Sequence, residues 1–258
     1  VLSGDIYSAN CTSEGPGISG GVAGIDLGFN VVARDAYKNE RGVGHDNVFA
    51  TVTDPLRDSE VLTVAKVRDV GDGTYALTYS VGKAGNFLLS VLCGSAHCSM
   101  SPYSIRIEPS DVHVPHCFAS GRGVTAGSAA AGDATPLVAG QEAIFTIQGR
   151  DSFHNTVSRG GGQFIVTCVG STETGEPVKT EYNPQPIDMK NGTWEVRQTY
   201  RKACTYLISI TSGNDGSSPT HISGSPYSIN VVPEAKTASE KCTLEGQGLE
   251  TAIVNAPA

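Results

Sequence analysis

The side chains that can take part in the widest range of reactions in this 258-residue chain are those of seven cysteines and six histidines. Thiolates and imidazoles act as nucleophiles, bases or metal ligands when their spacing brings them together. Only the run His113-x-x-His116-Cys117 has metal-ligand spacing, and no second ligand pair accompanies it. Neither a Ser-His-Asp set nor a pair of carboxylates stands out. We therefore expect no enzyme, no metal site and no cofactor, and interpret the histidine run as a solvated linker.

The run Gly71-Asp72-Gly73-Thr74 could be compared with phosphate-binding or metal-binding loops. Neither P-loop nor EF-hand spacing accompanies it. A reversal between two strands explains it better, because glycine supplies positive φ and aspartate caps its own backbone. We predict a turn here.

Two Arg-Asp pairs, Arg34-Asp35 and Arg150-Asp151, stand at the ends of equivalent strands, each just before a loop. They could form a ligand site, or the carboxylate could hold the amides of its own loop. We expect the structural role, with Asn39 and Asn155 completing the turns.

Composition points to short strands and away from nucleic acid. Charged residues make up only 17% of the chain, hydrophobic residues 39%, and there are 31 glycines. The net charge of -8 opposes phosphate binding, which needs clustered Lys and Arg. No apolar run reaches the roughly 18 residues of a membrane helix, and the N-terminus lacks signal-peptide features. We expect a soluble segment excised from a longer protein, with no membrane insertion.

A block of about forty residues occurs twice, which indicates an array of similar modules. Gly71-Asp72-Gly73-Thr74-Tyr75 returns as Asn191-Gly192-Thr193-Trp194, and Ser101-Pro102-Tyr103-Ser104-Ile105 returns as Ser225-Pro226-Tyr227-Ser228-Ile229. Openings at Cys11, Cys117 and Cys242 share a Gly-x-Gly run, so a third module begins but does not finish. The predicted boundaries are a lead-in over 1–10, repeat 1 over 11–109, a linker over 110–116, repeat 2 over 117–233, and a linker with a truncated third repeat over 234–258.

Period-two alternation predicts about seven strands per repeat, and hence an all-β protein of tandem antiparallel sandwiches. In repeat 1 the side chains of Tyr75, Leu77 and Tyr79 share one face, which should look into the core. Trp194 should point inward with Val196. The remaining predicted strands cover, after a short opening strand, 27–34, 48–53, 61–67, 87–93 and 103–107, then 143–149, 164–169, 177–181, 193–199, 206–211 and 227–231.

These linked motifs, in this order, resemble the immunoglobulin-like repeat of filamins. The resemblance covers Cys11 to Pro109 and Cys117 to Pro233, and departs in the cysteines and in the loops at Asp35 and Asp151. The D-x-x-x-N loops followed by glycine resemble repeats of protist, algal and plant surface proteins, including gamete adhesion proteins, more than those of animal actin cross-linkers. No actin-binding domain lies in these residues.

The resemblance implies a protein partner that adds as a strand beside the third strand, in the groove made with the fourth. Loop contacts at the repeat ends, near Asn39 and Asn155, are the alternative. The predicted groove is lined in repeat 1 by Phe49, Thr51, Thr53, Val61 and Thr63, and in repeat 2 by Phe164, Val166, Cys168, Val178 and Thr180.

In an immunoglobulin-like sandwich the end of the third strand lies beside the start of the sixth, which implies a Cys168–Cys204 disulfide. In repeat 1, Cys11, Cys93 and Cys98 meet at one end, and any two of them could pair. Cys117 has no obvious partner, and that of Cys242 would lie in the missing part of the third repeat. Reduced thiols in a cytosolic protein are the alternative.

The cysteine content and two glycosylation sequons, at Asn10 and Asn191, favour an oxidising compartment. The leading hypothesis is a non-catalytic structural and adhesive segment of a cell-surface or extracellular protein. The alternative is an intracellular cytoskeletal or ciliary scaffold with free thiols.

Overall fold

The computed structural model describes residues 3–128, 132–172, 175, 177–178, 183–212 and 218–235. Repeat 1 contains the strands β1 (Thr12–Glu14), β2 (Gly20–Val22), β3 (Leu27–Val32), β4 (Val48–Asp54), β5 (Glu60–Val64), β6 (Lys66–Asp69), β7 (Thr74–Tyr79), β8 (Gly85–Cys93), β9 (Ala96–His97) and β10 (Tyr103–Glu108). Repeat 2 contains β11 (Phe118–Ser120), β12 (Leu137–Val138), β13 (Glu142–Gln148), β14 (Phe164–Ser171), β15 (Pro177–Val178), β16 (Ile187–Asp188), β17 (Thr193–Thr199), β18 (Cys204–Ser212) and β19 (Tyr227–Val232).

Within the described ranges, helical structure is limited to single turns. Short 3-10 turns cover Ser8–Asn10, Pro16–Ile18 and Val114–His116, and one α-helix, α1, covers Arg122–Thr125. Pro16–Ile18 and α1 occupy equivalent places in the two repeats, directly after β1 and β11.

Each repeat is a sandwich of two sheets with the same strand order. In repeat 1 the sheets run β1-β3-β7-β6 and β2-β10-β8-β4-β5, with β9 beside β8. In repeat 2 they run β11-β13-β17-β16 and β12-β19-β18-β14-β15. The predicted all-β sandwiches are confirmed, with one difference in direction. The turn after β1 or β11 carries the opening strand across to the second sheet, where β2 and β12 run parallel to β10 and β19.

The inner faces follow the alternation in the sequence. Tyr75, Leu77 and Tyr79 are buried in the core of repeat 1, as predicted. Trp194 and Val196 are buried in the core of repeat 2. Each sandwich has its own cluster of buried side chains, so each repeat has its own hydrophobic driving force for folding.

The glycine-rich run before β7 is a turn, as predicted. Thr74 donates its amide to Asp72 Oδ1 at 3.0 Å, and Gly73 has a φ of +87°. A Cβ on Gly73 would lie 1.6 Å from the carbonyl oxygen of Arg41. This position therefore requires glycine both for its backbone conformation and for space.

The single strand predicted over 61–67 is two strands in different sheets. Ala65 is buried between them and donates its amide to the carbonyl of Ala50 at 2.9 Å. Residues before it pair with β4, and residues after it pair with β7. A continuous apolar alternation hides such a crossing, because both halves have strand-like composition.

Candidate functional site

The predicted groove of repeat 1 is occupied by the repeat itself. β4 lies between β8 and β5, and Thr51 and Thr53 pair with Val64 and Val61. Val61 and Thr63 belong to the outermost strand. The side chain of Phe49 is on the outer face and is 43% exposed. No gap for an incoming strand remains beside Thr51 and Thr53.

The predicted lining of repeat 2 is wrong by one residue. Phe164, Val166 and Cys168 are buried in the core. The outward-facing residues are Ile165, Thr167 and Val169, the last 56% exposed. The prediction equated Phe164 with Phe49 by residue type.

Strand pairing gives a different equivalence. Val48 faces Cys93 in β8, and Phe164 faces Ser212 at the same position in β18. Phe164 therefore corresponds to Val48. A slip of one residue moves every side chain of a strand to the opposite face.

On the outer side of β14, strand pairing among the described residues is limited to the end of the strand. β15 pairs only with Gly170 and Ser171, so Phe164 to Val169 have β18 as their one strand neighbour in the described residues. The amide of Cys168 points away from β18 and donates to Asn183 Oδ1 at 3.1 Å. Because backbone direction alternates, Phe164 and Val166 also present their N–H and C=O groups to this edge. Val178 lies in β15, and Thr180 lies outside the described residues.

A cleft of about 480 Å³, here called the edge cleft, continues from the start of β14. Asp188 secures one wall, accepting from Gly161 N at 3.1 Å and pairing with Lys190 Nζ at 2.8 Å. Since the two charges pair, the cleft favours an uncharged segment. Its lining residues are Gly161, Gly162, Gln163, Phe164, Ile165, Gln185, Pro186, Asp188, Lys190 and Trp194.

Trp194, one of the residues that line this cleft, carries an unsatisfied polar group. Its side chain is buried, and Nε1 is the buried side-chain nitrogen that lacks a hydrogen-bond partner in the described part of the chain. In repeat 1 the equivalent Tyr75 is satisfied, because its hydroxyl donates to Asp46 Oδ2 at 3.0 Å and accepts from Asp46 N at 2.8 Å. Burial raises the pKa of Tyr75 to about 12. Repeat 2 has Gly162 where repeat 1 has Asp46, and this difference is the sequence signal that the prediction missed.

The Arg-Asp loops have matching internal hydrogen bonds. Asp35 Oδ1 accepts from the amides of Tyr37 and Asn39, both at 2.9 Å, and Oδ2 accepts from Asn39 Nδ2 at 3.0 Å. The Asn39 side chain and the Gly4 amide hold the pKa of Asp35 down to about 2. This geometry supports the structural role, in which the carboxylate holds the amides of its own loop.

Asp151 repeats the arrangement in the second loop. It accepts from the amides of Phe153 at 2.9 Å and Asn155 at 2.8 Å, and from Asn155 Nδ2 at 2.9 Å. Burial of Asp151 opposes ionisation, but these hydrogen bonds and one from Ser110 N outweigh it and lower its pKa.

Three buried thiols of repeat 1 form one cluster. Cys93 is in hydrogen-bond contact with both Cys11 and Cys98, and Ser13 Oγ lies 3.2 Å from Cys98 Sγ. Contact with Cys93 lowers the pKa of the other two thiols, while the same contacts raise the pKa of Cys93. The three candidate disulfide residues are thus together.

Cys168 and Cys204 are not together. Cys168 lies opposite Ile208, four residues along β18 from Cys204, which at about 3.4 Å per residue is roughly 13 Å. A disulfide needs Cα atoms within about 7 Å. The strand ends do meet as predicted, but Cys168 precedes the end of β14 by three residues.

The other predicted residues are spread over the molecule. Asn10 donates from Nδ2, the atom a glycan would occupy, to the carbonyls of Asp35 at 2.8 Å and Ala36 at 3.2 Å. Asn191 is exposed in its turn. Cys117 is buried against the carbonyl of His113, and Cys242 lies outside the described residues.

The histidine run packs ring against ring. His113 and His116 have centroids 4.5 Å apart, and His116 stacks on His154 at 3.7 Å. Among the described residues no group of three potential metal ligands converges. The described part of the chain also contains no helix long and apolar enough to cross a membrane.

The duplicated two-sheet sandwich defines a tandem immunoglobulin-like repeat protein. The chain belongs to the filamin repeat family, because the family model "Filamin/ABP280 repeat" matches residues 6–104 and 111–228. It is 25% identical over 239 residues to filamin-C of Rattus norvegicus, covering 90% of this chain and 8% of that protein. It is 31% identical over 83 residues to the flagellar outer-arm dynein alpha chain of Chlamydomonas reinhardtii, covering 32% of this chain and 2% of that one. The chain thus spans a small part of these relatives.

Solved structures with the same fold include two bacterial proteins. The Escherichia coli adhesin FdeC aligns with a TM-score of 0.55 at 15% identity, over 90% of this chain and 67% of that one. Invasin, described as a bacterial integrin-binding protein, aligns with a TM-score of 0.50 at 12% identity, over 89% and 41%. At these identities the likeness concerns the fold alone. The predicted likeness to protist, algal and plant surface proteins is not confirmed.

Proposed function

We propose that this segment is a non-catalytic docking module that receives an extended peptide of a protein partner along β14 of repeat 2. The edge of β14 from Phe164 to Val169, which has no strand partner on this side among the described residues, is the observation that carries the proposal. Phe164 and Val166 direct their backbone groups toward it, and an added strand would pair with both. An unpaired edge otherwise promotes aggregation, so an edge that persists in a folded protein needs a partner or a cover.

The edge cleft supports the same proposal. An incoming strand would pass Ile165 and Trp194, and a backbone carbonyl that reached the buried Nε1 would satisfy it. An unmade hydrogen bond on a buried donor costs about 1–3 kcal/mol, so a ligand that supplies the acceptor recovers that energy. Small or apolar side chains on alternate positions suit the cleft, because Asp188 and Lys190 neutralise each other.

Repeat 1 does not receive the peptide in this proposal. Its β4 edge is covered by β5, and its Tyr75 is satisfied by Asp46. Its role is to space and orient repeat 2, as modules in arrays commonly do.

The larger protein is proposed to be a structural and adhesive protein at the cell surface. The surface adhesin fold of FdeC and the exposed sequon at Asn191 support this location. The second candidate is an intracellular cytoskeletal or ciliary scaffold, favoured by the filamin-C and flagellar dynein relatives. A glycan on Asn191 in the natural protein supports the first candidate, and its absence together with reduced cysteines supports the second.

A peptide-display selection on the immobilised full chain tests the docking site. Val166→Pro should abolish binding of the selected peptides, because it removes an amide that faces the outer edge of β14. Ala50→Pro, at the equivalent position under β5, is the matched control and should leave binding unchanged. Trp194→Phe should weaken binding without unfolding repeat 2. Both proline variants are first checked for folding by circular dichroism. Selected peptides that bind a folded Val166→Pro variant as tightly as the parent chain contradict the proposal.

A further inference from the structure

The loop that follows β13 seats repeat 2 on the end of repeat 1. The ring of Phe153 lies against Gly24 and Gly82, where added Cβ atoms would come within 2.3 Å and 2.8 Å of it. Asn155 Oδ1 accepts from Ala84 N at 2.9 Å, and its Nδ2 donates to Gly82 O at 2.7 Å. This joint therefore has two parts. Phe153 packs its ring into the space left by Gly24 and Gly82, here called the glycine socket, and Asn155 hydrogen-bonds two backbone groups of repeat 1.

The linker between the repeats, residues 110–116, is hydrogen-bonded to the same loop at two points. Ser110 donates its amide to Asp151 Oδ2 at 3.0 Å, and His113 donates its amide to the carbonyl of Arg150 at 2.7 Å. The aspartate thus fixes both the linker and the loop that carries Phe153 and Asn155.

The lead-in to repeat 1 follows the path of that linker. Gly4 donates its amide to Asp35 Oδ2 at 3.0 Å, and Tyr7 donates its amide to the carbonyl of Arg34 at 2.8 Å. Residues 4–10 therefore correspond to 110–116, one by one, up to the cysteines that open the repeats.

The loop of repeat 1 has the docking residues, but no second repeat packs against them in the described part of the chain. Tyr37 stands at the position of Phe153 and is 86% exposed, whereas Phe153 is 48% exposed. Asn39 stands at the position of Asn155 and makes the same contact to its aspartate. Tyr37 and Asn39 thus present to solvent the same pair of positions that Phe153 and Asn155 use in the joint between the repeats.

We propose that the Tyr37–Asn39 loop is the docking surface for a preceding repeat of the same kind. The partner is a filamin-type repeat with glycines at the positions of Gly24 and Gly82. Tyr37 enters its glycine socket, and Asn39 bonds the two backbone groups that correspond to Gly82 O and Ala84 N. The Tyr37–Asn39 loop is equivalent to the loop that forms the joint between repeats 1 and 2. That equivalence identifies both the partner and the geometry of docking.

The test extends the full chain at its N-terminus with a second copy of residues 4–109, joining Pro109 to Gly4. The added copy carries Tyr37→Phe, so that the Tyr37 of the original chain, here called the inner Tyr37, is the one residue 37 that can be nitrated. We expect nitration of that tyrosine by tetranitromethane, measured by peptide mass spectrometry, to slow on the order of tenfold relative to the original chain, as for a docked state favoured by ~1.4 kcal/mol. Exchange of the Ala84 amide of the added copy should also slow.

Blocking the socket provides the control. Gly82→Leu in the added copy should restore nitration of the inner Tyr37, while Gly42→Leu, at an exposed glycine with nothing within 4 Å of a Cβ, should not. Circular dichroism establishes that each extended chain is folded. Nitration of the inner Tyr37 at the rate of the original chain, or protection that survives Gly82→Leu, overturns the proposal.

Discussion

The indole of Trp194 packs edge-on against the ring of Phe164, with centroids 4.8 Å apart and planes inclined by 72°. Glycines make room for it on both sides, because a Cβ on Gly149 or Gly162 would lie 3.0 Å or 3.1 Å from the indole. The pair connects the core of repeat 2 to the open start of β14. Stability and docking in repeat 2 are thus expected to depend on the same side chain.

Trp194→Ala should destabilise repeat 2 by about 3–5 kcal/mol, because it leaves a large cavity among groups that cannot collapse. Differential scanning calorimetry of the full chain measures this as a lower transition temperature for one of two transitions. Trp194→Phe should cost less, since it keeps the contact with Phe164.

The same measurement shows whether the repeats unfold separately. Repeat 1 keeps its own core, so its transition should shift little beyond the loss of the joint at Phe153. A single transition that moves as a whole in the Trp194→Ala variant would mean that the repeats fold as one unit.

The sequence correctly predicted those features that depend on local sequence patterns. Alternation placed Tyr75 and Trp194 inward, since a strand with one buried face shows period two. The same reasoning failed at Phe164, because the loop before β14 offers no fixed turn from which to count, and a matching aromatic at Phe49 suggested the wrong register. The open edge and the unsatisfied Nε1 of Trp194 depend on which strands become neighbours, and no local pattern records that.

Gly73→Ala should destabilise repeat 1 severely, whereas Gly71→Ala should cost only about 1–2 kcal/mol, the usual penalty for a non-glycine residue at positive φ. Both glycines have positive φ, at +87° and +94°, but only Gly73 faces a backbone atom at 1.6 Å from a Cβ. Urea unfolding of the two variants separates backbone strain from steric clash. Equal losses would show that the close approach to Arg41 relaxes freely.

Asp35 should make repeat 1 sensitive to acid. The hydrogen bond from Asn39 and the amide of Gly4 hold its pKa at about 2, below its usual value near 3.9. A carboxyl with a lowered folded-state pKa stabilises the fold fully above its unfolded value, and that contribution disappears as pH falls from about 4 through about 2. Asp35→Asn should therefore lower the stability of repeat 1 at neutral pH and flatten its pH dependence in this window.

Urea unfolding of the full chain from pH 2 to pH 7 measures the effect. Asp58→Asn, in an exposed loop, is the control and should leave the pH profile unchanged. An Asp35→Asn variant with the acid sensitivity of the parent chain would assign that sensitivity to other carboxyls, such as Asp151.

The thiol cluster of repeat 1 should form one disulfide that includes Cys93, because Cys93 contacts both other thiols. Oxidised glutathione supplies the oxidant: one cluster thiolate attacks its disulfide and releases one glutathione, and a second cluster thiol then displaces the other. Cys98 is the expected first nucleophile, since contact with Cys93 lowers its pKa. Non-reducing peptide mapping should recover Cys93 linked to Cys98 or to Cys11.

The stability gain distinguishes the two products. A Cys93–Cys98 bond closes a short hairpin and should add about 2 kcal/mol, whereas a Cys11–Cys93 bond closes most of repeat 1 and should add about 4–5 kcal/mol in the chain-entropy model. Repeat 2 is the internal control, because Cys117 there has Ser212 and Ile222 in place of the other two thiols and should remain free. Cys93→Ser should prevent the disulfide altogether. A Cys11–Cys98 bond in that variant, formed as readily as the parent bond, would contradict the central place of Cys93.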